Sequence, residues 1–261
     1  MTEEPDPLVR VSTTSGVTTL TLDSAHNRNA LSTPLMTQLL TALETAIADD
    51  SVRAVVLSHT GPVFCSGADL KETAAAFDSG TVPAAMLGDV LAMIWECPKP
   101  VVARVAGPAR AGGLGLIAAA DIAVCSVAAT FAFTEVRIGV IPAVISATVL
   151  PRLSPRAAAE LYLTGETFDG RRAEQIGLVT RATAADELDS TVAAYCAALL
   201  RGAPGALAGA KELLRRSAPT DFRADLADLS ARSTRFFRSE EGREGIIALR
   251  EKRPARWVPP T

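Results

Sequence analysis

The chain has 261 residues, of which 48% are hydrophobic and 21% charged, and a net charge of -3. That length can bury a substantial core, that apolar content excludes a disordered chain, and that charge offers no basic field for gripping nucleic acid. The polar, acidic start from Met1 to Pro7 lacks the basic and apolar stretches of a secretory signal, and no apolar run reaches bilayer length, so a cytoplasmic location without membrane attachment is expected.

Leu8 to Ser12 and Val17 to Leu22 alternate apolar and polar residues around Ser15-Gly16, which predicts a hairpin. From Thr33 to Ala48 the period changes: Leu35, Leu39, Leu40, Leu43 and Ile47 recur at helical spacing behind Ser32 or Thr33 as N-cap and Pro34 in the first turn. Ala54 to Ser58 is a short strand, Pro83 to Glu96 a helix stopped by Pro98 and Pro100, and Val101 to Val105 a buried strand. Gly113 to Ala120 reads as a helix, with Asp121 to Cys125 and Thr130 to Phe133 as further strands. The alternation predicts an α/β core over residues 1–200.

Beyond Ser146 the pattern becomes helical: Pro155 to Leu163, Arg171 to Ile176, Asp186 to Leu200, Ala206 to Arg216, Phe222 to Phe237 and Glu240 to Arg250. Apolar stripes such as Leu226, Leu229, Phe236 and Phe237 need cover, which marks residues 201–261 as a helical layer packed on the core or on another subunit. Cys65, Cys97, Cys125 and Cys196 show no metal-ligand spacing and are expected as buried thiols. With only His26 and His59 besides, a metal site or a nucleophile–histidine arrangement has little material, which leaves carboxylates and backbone for any catalysis.

Two turns of small residues join strands to helices. Cys65-Ser66-Gly67-Ala68-Asp69-Leu70 and Arg110-Ala111-Gly112-Gly113 each offer free amides at the mouth of a helix, where an oxygen that gains negative charge can be held. Glu135 follows in the apolar stretch Phe131 to Gly139, an environment that raises a carboxyl pKa and suits proton transfer, unless Arg137 pairs with it. Gly113-Leu114-Gly115-Leu116-Ile117-Ala118 also fits a loose dinucleotide pattern, but Pro108 to Ala111 separate it from its strand and several elements precede it.

Taken in order, these segments resemble the enoyl-CoA hydratase/isomerase, or crotonase, family. The resemblance runs nearly end to end, from Asp23 and Arg28-Asn29-Ala30-Leu31 through Ser66 to Leu70, Ala106-Gly107, Gly112-Gly113, Asp121-Ile122, Phe133-Thr134-Glu135, Ile141-Pro142, Leu163 to Glu166 and Ile176 to Val179 to Glu251-Lys252-Arg253-Pro254. It implies a spiral of ββα units with a C-terminal helical trimerisation region, a homotrimer or dimer of trimers, and an acyl-CoA thioester as substrate with no separate cofactor. It further implies that the amides of Ala68 and Gly112 form an oxyanion hole for the thioester oxygen and that Glu135 is the acid/base. Arg28, Ala30 and Leu70 match CoA-contacting positions, Ser66, Asp69 and Gly113 flank the turns in the same site, and Lys252 matches a basic residue near the nucleotide end. The resemblance implies a second glutamate in hydratases where this chain has Gly115; Gly115-Leu116-Ile117 with Ile141 to Ser146 is similar to certain bacterial 3-methylglutaconyl-CoA hydratases, which share the gap. Three activities therefore stay open: hydration of a 2-enoyl thioester, Δ3,Δ2-isomerisation by Glu135 alone, and thioester binding without turnover. Arg110, two residues before Gly112, is a candidate for reading a distal substrate carboxylate.

Overall fold

The hairpin forms as β1 (Val9–Thr14) and β2 (Val17–Leu22), antiparallel, with Val9 opposite Leu22 and Thr14 opposite Val17. Ser15 and Gly16 connect them with φ of 51° and 80°, the two positive angles that a tight hairpin turn needs. The computed structural model describes residues 7–69, 72, 84–216, 235 and 239–259. The expected helix from Phe222 to Phe237, with Leu226, Leu229, Phe236 and Phe237, lies outside the described residues apart from Arg235, as do Leu70 and Pro83.

Helix α1 (Thr33–Ala48) starts where expected: the Ser32 side chain accepts from the Leu35 N–H and Pro34 sits in the first turn. Its buried face is Leu35, Met36, Leu39, Ala42, Leu43 and Ala46, a stripe at helical spacing. Each large apolar side chain buried there is worth about 1.5–3 kcal/mol. The chain then enters β3 (Ala54–His59), which is buried at every position, and crosses through α2 (Ala84–Glu96) to β4 (Val101–Val105).

The next stretch holds β5 (Ala109–Arg110), α3 (Gly112–Ala119), β6 (Ile122–Ser126), β7 (Thr130–Ala132), a 3-10 turn over Glu135–Ile138 and α4 (Ala143–Val149). After it come α5 (Pro155–Thr164), β8 (Phe168–Asp169), α6 (Gly170–Gln175), β9 (Arg181–Thr183), α7 (Leu188–Leu200), α8 (Pro204–Leu214) and α9 (Glu240–Glu251). Sequence periodicity does not reveal β5, β8, β9 or α4, because two- to seven-residue elements give no full period to read.

The main sheet runs β1-β2-β3-β4-β6-β9, with every pair after the hairpin parallel. Along β3 the side chains alternate between two cores: Val55 and Leu57 pack with α1, whereas Val56 joins Val102, Val124, Leu188, Val192 and Cys196 beneath α7. A second, small sheet, β5-β7-β8, lies beside it, and isolated bridges Leu31–Ala68 and Cys65–Ala109 extend the same pattern to the earlier turns. A long strand, a short second strand or bridge and a helix therefore recur along the chain, which is the spiral of ββα units that the resemblance implies. The four cysteines are buried free thiols.

The C-terminal helices are tied back to this core. Lys211 of α8, only 5% exposed, reaches Asp121 at 2.6 Å and the Lys99 carbonyl at 2.9 Å. Arg53 donates to the carbonyls of Gly202 and Trp257, the Trp257 indole N–H donates to the Arg201 carbonyl, and the Glu241 carboxylate accepts from the Gly205 N–H. Among the described residues no single helix is long and apolar enough to cross a membrane.

Candidate active site

The first turn is assembled by contacts that are distant in sequence. Leu31 donates its N–H to the Gly67 carbonyl at 2.8 Å, Ser66 donates to the Arg28 carbonyl at 3.1 Å, and Arg110 donates to the Cys65 carbonyl at 3.0 Å. Gly67 has φ of +95°, and a Cβ there would stand 3.0 Å from the Cβ of Ala111. Only glycine lets the chain take that conformation and bring the two turns together. At the bridge Leu31–Ala68 the backbone runs extended, and the Ala68 N–H finds no acceptor among the described residues.

The second turn carries a strained residue. Ala111 has φ 47° and ψ -118°, unusual for a residue with a side chain, and it immediately precedes α3. Its N–H donates to the Ala132 carbonyl at 3.4 Å and its carbonyl accepts from Leu114 at 2.9 Å, so both sides hold it. The N–H of Gly112, first residue of the helix, is left without an acceptor among the described residues. The helix is buried throughout, so its positive end faces the turn in a setting of low polarity. Two free amides thus belong to turns that touch.

Glu135 opens the 3-10 turn three residues after Ala132, the residue that accepts from Ala111. It is 9% exposed, its Oε2 is buried without a partner, and burial pushes its pKa upward. The alternative pairing with Arg137 is not formed: that guanidinium donates to Glu166 at 2.7 Å and to the Thr164 carbonyl at 3.2 Å. Among the described residues no cation pairs with this carboxylate, and only its own backbone N–H offsets the effect of burial.

Gly115 lies inside α3, and its open side is already filled. A Cβ at this position would stand 2.6 Å from Cγ2 of Ile145, 3.1 Å from its Cβ and 3.3 Å from Cδ1 of Leu91. The space beside Gly115, where the resemblance implies a second glutamate in hydratases, is therefore occupied by apolar groups from α4 and α2. The loose dinucleotide pattern falls within this same buried helix, so its glycines serve helix packing rather than a phosphate loop.

The remaining expected residues divide. Arg28 is exposed with φ 60°, Ala30 is buried beside it, and Ser66 and Asp69 are half-buried at the first turn, where the Asn27 side chain donates to Asp69. Gly113 is buried against Cys65. Arg110 does not reach out freely: its guanidinium donates to the Ala109 carbonyl at 2.9 Å and to the Thr130 carbonyl and hydroxyl at 2.6 and 3.1 Å. Lys252 ends α9 in a left-handed conformation with φ 54° and is exposed. Leu70 lies outside the described residues.

Asn29 is a residue whose role the sequence conceals. Fully buried with φ 52°, it accepts from the Ser24 N–H at 2.7 Å and donates to the carbonyls of Thr60 and Val63 at 3.0 and 2.8 Å. It locks the Arg28–Ala30 bend to the loop that leads into the first turn. Its left-handed angle, which asparagine tolerates well, was the available signal.

The fold is a spiral of ββα units in which two turns with unpaired amides meet and one carboxylate is buried nearby in the chain. Comparison with known proteins agrees. The sequence profile described as enoyl-CoA hydratase/isomerase matches residues 12–259. An enoyl-CoA hydratase structure from Mycobacterium avium is 46% identical, with a TM-score of 0.75 and coverage of 97% of this chain and 100% of that one. The Pseudomonas aeruginosa AtuE structure is 33% identical, with a TM-score of 0.92 and the same coverage of 97% and 100%. The mitochondrial methylglutaconyl-CoA hydratase of Mus musculus is 31% identical over 251 residues, 93% of this chain and 79% of that protein. The chain belongs to the enoyl-CoA hydratase/isomerase, or crotonase, family, and is an acyl-CoA enzyme of that family.

Proposed function

We propose that this enzyme hydrates a 2-enoyl-CoA thioester with Glu135 as its single acid/base. The Glu135 carboxylate takes a proton from water as the water oxygen bonds to the β-carbon, and the electron pair of the double bond moves onto the thioester oxygen. The N–H groups of Ala68 and Gly112 hold that oxygen. When the enolate collapses, the α-carbon takes the proton from Glu135, leaving a 3-hydroxyacyl thioester and the original carboxylate. The observation that carries this reading is the buried Glu135 carboxyl, its Oε2 without a partner, joined through Ala132 and Ala111 to the free amide of Gly112.

Arg28 and Lys252 are the cations assigned to the CoA phosphates, with Ala30, Ser66, Asp69, Leu70 and Gly113 around the same ligand. A distal carboxylate, such as the name of the mouse relative implies, would draw Arg110 away from Thr130. Residues 201–261 are assigned to assembly as a trimer or pair of trimers, supported by apolar side chains such as Leu214 and Leu249 that stand exposed on the single chain.

The filled space beside Gly115 favours a second reading, Δ3,Δ2-isomerisation, because moving a double bond needs one base and no held water. A panel of 2-enoyl, 3-enoyl, glutaconyl and 3-hydroxyacyl CoA thioesters separates the two. A product heavier by one water supports hydration; an unchanged mass with a moved double bond supports isomerisation.

A further inference from the structure

If hydration is the reaction, the attacking water needs a second holder, and Gly115 cannot be it. Any side chain there would collide with Ile145, whose Cγ2 stands 2.6 Å from the site of its Cβ. The neighbour of Ile145 on α4 is Ser146, which carries a hydroxyl. It donates to the Pro142 carbonyl at 2.6 Å and lies 3.4 Å from the Tyr162 hydroxyl. The phenol oxygen thus accepts from Ser146, and the phenol's own hydrogen is left to donate elsewhere.

Tyr162 is carried on α5, the helix against which the 3-10 turn of Glu135 packs. Its ring lies on Phe133, two residues before Glu135, with centroids 4.6 Å apart. Backbone neighbours of the carboxylate therefore fix the phenol. Burial pushes the phenol pKa upward, against the bond from Ser146 and with the nearby Glu135 charge, and the net rise keeps the proton on its oxygen. The bond from Ser146 is long and is accepted by the phenol oxygen, so it does not use the phenol hydrogen.

We propose that the Tyr162 hydroxyl, steadied by Ser146, holds the water that Glu135 activates, in place of a second carboxylate. This rests on the hydratase reading. The phenol donates one hydrogen bond to the water oxygen, and Glu135 accepts a proton from the same water as the bond to the β-carbon forms. No atom of Tyr162 is transferred. Tyr162 is a water-positioning residue, and the α-proton chemistry of Glu135 proceeds without it.

The test compares two reactions of one enzyme. Tyr162→Phe keeps the ring on Phe133 and removes only the hydroxyl. Hydration of crotonyl-CoA or the preferred 2-enoyl thioester should fall about 10- to 100-fold in kcat with KM held within about two-fold. Exchange of the α-hydrogens of a saturated acyl-CoA with D2O should stay within about two-fold, because it needs Glu135 and the amides only. Ser146→Ala should give a smaller loss with the same split. Unchanged hydration in Tyr162→Phe, or parallel loss of hydration and exchange, overturns the role of the phenol while leaving the hydratase reading intact. A wild-type enzyme that exchanges or isomerises but never adds water overturns both.

Discussion

Ile145 stands in the space that a side chain at Gly115 would claim, 2.6 Å from the Cβ position to its own Cγ2. The two residues lie on different helices, α3 and α4, so the choice at one constrains the other. Overpacking costs about 1–3 kcal/mol and truncating a buried isoleucine about 2–5 kcal/mol. Gly115→Ala and Ile145→Ala should each lower stability by such amounts, and the double variant should lose less than the sum, since one change makes room for the other. Chemical denaturation of the four proteins checks this, and strict additivity would mean that the packing does not couple them.

With Glu135 as the proposed base, activity should depend on pH with a definite sign. Burial raises its folded pKa above the ordinary 4.5, so the base form, and turnover with it, should appear only above that value. The folded carboxyl keeps its proton to higher pH than the unfolded one, so as pH rises past 4.5 ionisation costs the fold stability until the raised pKa is passed. Glu135→Gln should therefore lower kcat by about 10²- to 10⁴-fold while raising the melting temperature at neutral pH. Loss of activity accompanied by loss of stability would point instead to a structural carboxylate.

The pair Lys211–Asp121 anchors α8 to the strand end at β6. Lys211 is 5% exposed and also bonds the Lys99 carbonyl, so its ammonium is held by two partners. Lys211→Ala should destabilise by about 3 kcal/mol, because it strands the carboxylate and a carbonyl. Lys211→Met together with Asp121→Asn should recover part of that loss. Thermal unfolding of the two variants measures the difference, and equal losses would mean that charge is not what ties the helix down.

Asn29 should prove as sensitive as a catalytic group without touching substrate. Its three hydrogen bonds join the Arg28–Ala30 bend to the loop at Thr60 and Val63. Asn29→Ala leaves the Ser24 N–H and the Val63 carbonyl without their Asn29 partner, each costing about 1–3 kcal/mol, while the Thr60 carbonyl keeps only the His59 ring. Asn29→Asp keeps the shape but turns an acceptor toward two carbonyls. Both should raise KM for the thioester more than they lower kcat, measured on whatever folded enzyme remains; a change in kcat alone would remove Asn29 from the binding side.

The larger features were legible because they are local. The stripe Leu35, Leu39, Leu43 repeats at the helical period behind a Ser32 cap, and the apolar runs at β3 and β4 alternate into two cores. The small residues at Gly67 and Gly112 and the lone Glu135 could likewise be read as a possible oxyanion hole and base. The short strands β5 and β8 were not legible, since two residues have no period and exist only because a partner strand lies beside them.

By itself the sequence determined the α/β alternation, the position of the two turns and the carboxylate at Glu135, since backbone propensity and periodicity act within a few residues; the spiral came from the family resemblance. Tertiary structure alone decided that Gly67 meets Ala111, that Arg137 turns to Glu166 rather than Glu135, and that Ile145 fills the space at Gly115. Those outcomes depend on which surfaces come together once the chain is packed, and close packing leaves each space to one occupant.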